Sequence, residues 1–213
     1  MQRSGVHLSG AGAHRRVEHR ALPVRWHGGA SRGYLQHRFS DISTCSPTTS
    51  PSFRLRAERV LAALETTRWE LRIDLREERF VRCELSDEDV ALKIELVNDV
   101  PARVGQVQHH SILGRLASAE NIFANKITAL VDRQEPKDLA DVWGFSVRLG
   151  LSLDDALQGA QGKAVGVFAP AVARVLAGAT TDDWALVRWI DGPSADAFTA
   201  DLRRLADQLI LGG

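Results

Sequence analysis

The sequence predicts a small α/β unit followed by a helical one. Two segments, Trp69–Leu75 and Val90–Val97, alternate apolar and polar residues with the period of two that a half-buried strand requires. After Gly114 the apolar period becomes helical, and helix-start residues recur at Ser118, Pro136, Ser152, Thr181 and Ser194.

Taken in order, Phe53–Thr66 reads as an amphipathic helix with Leu55, Val60, Leu61 and Leu64 on its apolar side. Trp69–Leu75 is the first regular strand, Phe80–Leu85 the second and Val90–Val97 the third, with Ser86–Asp89 as a polar turn. In the third strand Leu92, Ile94 and Leu96 share one face, while Lys93 and Glu95 share the other. Hairpin spacing makes the sheet antiparallel or mixed. Ser118 caps a helix running through Leu130, with Ile122, Phe123, Ile127 and Leu130 inward. Pro136 suits the first position of the next helix, continuing to Leu149, where Asp138 meets the positive end of the helix dipole. Ser152 caps a further helix. Gly159–Gly166 separates it from Ala169–Ala177, and two more helices start at Thr181 and Ser194.

Composition bounds the function. The 213 residues are 44% hydrophobic and 25% charged, as a globular chain needs to bury a core. Basic and acidic residues balance at 27 each, so no overall field selects nucleic acid or a membrane surface. No apolar run approaches the roughly 18 residues of a spanning helix, and no signal-peptide stretch follows Met1–Gly5. Cys45 and Cys83 form no metal-ligand spacing, and a reducing cytoplasm is the expectation. The balance hides a split: residues 1–52 carry net +5 and five of the seven histidines, and the remainder carries net −5. Ten of the thirteen residues in Ser40–Ser52 are Ser, Thr or Pro, a composition for loop rather than core. The expected organisation is therefore a basic, largely irregular segment at 1–52, an α/β core at 53–115 and a helical domain at 116–213. The segment reads either as a tail with little fold of its own, which is preferred, or as a basic arm for nucleic acid on a non-enzymatic helical binding module.

The residues able to carry chemistry are Lys93 and Glu95 on one strand face, Lys126 within a helix, and Arg133, Lys137, Asp138 and Asp141 around a helix–turn–helix junction. Lys126 and Arg133 are seven apart, and Asp138 and Asp141 three apart, so each pair can share a helix face. Cations and carboxylates converging on a sheet edge suit phosphate handling; taken by spacing alone, ordinary surface ion pairs are the preferred reading. Lys126 is the exception, because it interrupts an otherwise apolar helix where the plain alternative is a snorkelling side chain. His109 and His110 have no third ligand nearby and read as an exposed loop. Trp143, Trp184 and Trp189 stand at helical positions and read as core.

Three stretches taken together, Leu92–Val97, Ser118–Leu130 and Arg133-Gln-Glu-Pro-Lys-Asp-Leu-Ala-Asp141, resemble the AbiEii/AbiGii nucleotidyltransferase toxins of type IV toxin–antitoxin and abortive-infection systems. The resemblance runs from Phe53 to the C-terminus. It implies a polymerase-β-like nucleotidyltransferase core with a mixed sheet, a helical C-terminal domain, magnesium, and transfer of a nucleotide from a nucleoside triphosphate to RNA or protein. By position it implies Glu95 as the third strand carboxylate and a metal ligand, and Asp138 or Asp141 as completing the catalytic site with Lys126. Lys126, Arg133 and Lys93 would meet the nucleotide. It also implies a winged-helix antitoxin encoded nearby, with or without direct contact.

The family's first motif is a glycine turn followed by a strand bearing Asp-x-Asp. Here Gly28-Gly29-Ala30-Ser31 and the approach Tyr34–Asp41 are similar to it, but Ile42-Ser43-Thr44 occupies the Asp-x-Asp place. None of these three side chains can replace a carboxylate on magnesium. Codons compatible with Ile42–Thr49 spell, one frame over, Leu-Asp-Leu-Phe-Thr-Asn-Asp, so a shifted reading frame is the expected origin of the interruption. The expectation for this chain is family membership with little or no nucleotidyl transfer.

Overall fold

The computed structural model describes residues 25–26, 34–35, 37, 42–46, 53–88, 90–110 and 114–211. Most of the segment 1–52, including the Gly28-Gly29 turn, lies outside the described residues.

Two hydrophobic clusters organise the chain. In the first, helix α1 (Phe53–Glu65) lays Phe53, Ala57, Val60, Leu61 and Leu64 onto one face of a sheet. That face is built by Val81 and Cys83 of β4 (Phe80–Ser86) and by Ile94 and Leu96 of β5 (Ala91–Val97). Alternation along each strand sends the intervening Arg82, Glu84, Lys93 and Glu95 to the opposite face. Strand β3 (Glu70–Arg76) pairs antiparallel with β4, and β4 with β5, the meander that hairpin spacing predicts.

The sheet continues past β5 through strands the sequence does not announce. Ser40–Ser52 is expected to be irregular, yet Ile42–Ser46 forms β2 and pairs parallel with β5. The pairing partner, rather than local composition, decides this strand: β5 has an unoccupied edge, and β-branched Ile42 and Thr44 tolerate extended backbone. With β1 (Arg25–Trp26), β6 (Gln108–His110) and β7 (Gly114–Leu116), the described strands make one sheet in the order β3-β4-β5-β2-β1-β7-β6. His109, expected in a loop, is exposed on β6.

The second cluster is helical. Helix α2 (Ala119–Arg133) starts where Ser118 Oγ accepts a hydrogen bond from the Asn121 N–H at 3.0 Å, and stops at Gln134, whose φ of 53° is left-handed. Pro136 opens α3 (Pro136–Trp143). The expected helix to Leu149 changes character at Gly144, where Gly144–Arg148 widens into a π-helical turn closed by Leu149 N–H donating to Gly144 O at 3.0 Å. A Cβ at Gly144 would lie 2.8 Å from Leu35 Cδ1, so glycine is what admits Leu35 to this core. Helices α4 (Leu153–Gln161), α5 (Ala169–Ala177), α6 (Thr181–Ala185) and α7 (Ala195–Leu211) complete the cluster. Ser152 caps α4, and Thr180 with Asp183 forms a capping box on α6. Trp189 lies outside any helix, a departure from its expected position, but joins the core edge-on to Trp143 at 5.9 Å and Phe198 at 5.5 Å. No helix among the described residues is long and apolar enough to cross a membrane.

Candidate functional site

Lys126 leaves the apolar face of α2 toward α3, because two carboxylates await it there. Asp138 and Asp141 stand three residues apart on α3, nearly one turn, and both are fully buried. Lys126 Nζ lies 2.8 Å from Asp141 Oδ2 and 3.3 Å from Asp138 Oδ1. Arg133, two turns along α2, closes a fork on the same Asp138: Nε donates to Oδ2 at 2.7 Å and Nη2 to Oδ1 at 2.8 Å. These hydrogen bonds, more than the surrounding charges, shift the Arg133 guanidinium upward and keep it protonated. At the rim, Glu135 Oε2 meets Lys137 Nζ at 2.6 Å and Arg133 Nε at 3.3 Å. Two buried carboxylates are thus matched by two cations, an arrangement that repays their desolvation only while all four are present.

The fifth member is His37. Its ring is fully buried, with Nε2 at 3.2 Å from Asp141 Oδ1. Neither ring nitrogen makes an aligned hydrogen bond among the described residues, so the contact is one of proximity. His37 escapes sequence reasoning because it falls in the basic segment. Its only signal is its place in the Tyr34–Asp41 approach.

Across the sheet face opposite α1, charges alternate from strand to strand. The register aligns Arg72 with Glu84 and Glu84 with Lys93 in one row, and Arg82 with Glu95 in the next. Glu95 Oε1 accepts from Arg82 Nε at 3.0 Å and Nη2 at 2.8 Å, and Glu95 is near enough for its charge to bear on Arg133. Arg82 also rests over the Phe80 ring, 5.4 Å from its centroid. Sequence reasoning passes over Arg82, since an outward arginine on an alternating strand carries no signal of its own. On the other side of β5 the register pairs Lys93 with Ile42 and Glu95 with Thr44. Lys126, Arg133, Asp138 and Asp141 therefore meet in one network, Glu95 faces it from the sheet through Arg133, and Lys93 makes no ion pair among the described residues. No group of three or more His, Cys, Asp or Glu among the described residues is arranged to hold a metal.

A mixed sheet packed under α1 and followed by a helical bundle is the architecture of a nucleotidyltransferase-fold protein. Two solved structures share it. A candidate nucleotidyltransferase from Helicobacter pylori aligns at 16% identity and TM-score 0.59 over 90% of this chain and 88% of its own. The Helicobacter pylori protein JHP933 aligns at 16% identity and TM-score 0.58 over 90% and 85%. The chain belongs to the family described as nucleotidyl transferase AbiEii toxin, type IV toxin–antitoxin system, whose model matches residues 31–163. Comparison with curated proteins gives no match.

Proposed function

We propose that this chain is a toxin-type nucleotidyltransferase homologue that keeps the phosphate-gripping part of its site and lacks the metal-anchoring part. In the working form of such a site, the nucleotide of a nucleoside triphosphate passes to RNA or protein in the cytoplasm, and a neighbouring gene supplies a winged-helix antitoxin. Lys126 and Arg133 would meet the phosphates from α2, assisted by Lys93 from β5. Asp138 and Asp141 would hold those two cations in place rather than contact the nucleotide.

One observation carries the reading: the strand position paired with Glu95 is Thr44, and Ile42 precedes it by two. Magnesium demands near-octahedral oxygen donors, most often carboxylates with substrate phosphates and water. The row offers a single carboxylate, Glu95, already engaged by Arg82. Asp138 and Asp141 are committed to Lys126, Arg133 and His37. These donors do not suit a magnesium ion, so no catalytic step is assigned through one. In-line phosphoryl transfer depends on positioning and charge stabilisation by such ions, and little or no transfer follows.

The test is incorporation of each labelled nucleoside triphosphate, with magnesium, into RNA and into protein by the full chain. Background incorporation is expected. Robust incorporation that Lys126→Ala abolishes would overturn the reading.

A further inference from the structure

The family resemblance would make Glu95 a metal ligand; here Arg82 pairs with it, and the pairing has a chemistry of its own. A guanidinium carries five N–H donors. Glu95 takes two of Arg82's, both on Oε1, and Arg82 remains 44% exposed. The ring of Phe80 beneath and the carboxylate beside it fix the plane of the guanidinium, leaving the outer N–H groups free to meet oxygen. Arg133, also partly exposed, lies within electrostatic reach of the same carboxylate. Lys93 stands on the same face of β5 as Glu95.

We propose that this face binds the phosphate chain of a nucleotide without a divalent cation, Arg82, with Lys93 on the same face, supplying the positive charge that a metal would bring. The proposal rests on the phosphate-site reading above and adds Arg82 as a binding residue and independence from magnesium. Glu95 then has the opposite role to a metal ligand. It orients Arg82 but offsets its charge, so removing the carboxylate strengthens the hold on phosphate, whereas removing a metal ligand would weaken it.

Calorimetric titration of the full chain with inorganic tripolyphosphate, and separately with ATP, tests this in EDTA and in magnesium. Binding is expected in EDTA at least as tight as in magnesium. Arg82→Gln should weaken it by about tenfold in both buffers, the scale of one lost charge-assisted contact. Arg82→Lys, keeping charge without the fork, should fall between. Glu95→Gln should tighten binding severalfold, and an unchanged thermal transition in each variant shows the fold intact. Binding that requires magnesium, or that Glu95→Gln weakens, overturns the proposal and leaves the phosphate-site reading standing. Absence of binding of either probe in both buffers overturns the two together.

Discussion

Lys126 Nζ sits 2.8 Å from Asp141 Oδ2, and that carboxylate also faces His37 at 3.2 Å. The lysine is the hinge of the network: it bridges Asp138 and Asp141, whereas the Arg133 fork closes on Asp138.

Replacing Lys126 by methionine keeps the stem and deletes the charge. Removing one partner from a buried ion pair costs about 3–5 kcal/mol. Urea denaturation of Lys126→Met should show a loss of that order, with Lys126→Arg much milder. A loss below about 1 kcal/mol would show that Lys126 is dispensable to the fold and free for ligand binding alone.

The register Ile42↔Lys93 and Thr44↔Glu95 names the two positions at which carboxylates would join Glu95. The double variant Ile42→Asp, Thr44→Asp should acquire magnesium-dependent triphosphate binding that the parent chain lacks. Titration with ATP in EDTA and in magnesium checks it. Equal affinity in both buffers would mean that these positions do not meet the site.

Deleting residues 1–52 removes β2 from the middle of the sheet and Leu35 from the helical core. Loss of Leu35 alone compares with a large-to-small core substitution, about 2–5 kcal/mol. Calorimetry should show no sharp transition for the truncated chain. A cooperative transition near that of the full chain would contradict the role given to this segment.

Cys83, on β4, is fully buried in the cluster under α1, and burial, ahead of the nearby Asp74 charge, pushes its thiol up to about 11. In a Cys45→Ser background, a thiol reagent at pH 8 should label the chain only after denaturant is added. The linkage has a definite sign. The folded thiol keeps its proton above pH 9, where the unfolded thiol loses it, so this group's contribution to stability is whole below about pH 9 and declines as pH rises toward 11. Denaturation across that window checks it; rapid labelling of the native chain would place Cys83 at the surface.

Much of the helical half is legible because its signals are local. Ser118, Pro136 and Ser152 each act within one turn of their own position, and a 3.6-residue period repeats often enough to be read. The β3–β4–β5 meander is legible for the same reason. What escapes depends on distant partners. β2 reads as loop by composition and becomes a strand through β5, and His37 reads as part of a basic tail and is buried against α3. Of the site, spacing puts the helix–turn–helix cations and carboxylates within reach of one another but favours surface pairs; the burial of Asp138 and Asp141 comes from the packing of α3, and Arg82 emerges only once the register sets it beside Glu95.

Tyr34, Leu35 and His37 are held by residues made long after them. Tyr34 Oη donates to Ala117 O at 2.8 Å, Leu35 presses on Gly144, and the His37 carbonyl accepts from Ile190 N–H at 2.8 Å. During synthesis these early residues emerge with no surface to dock on, and their docking closes some of the longest loops in the chain, a step that slows folding. A chain cut short before Ile190 therefore lacks the donor that holds the His37 carbonyl, and that clasp stays unsealed.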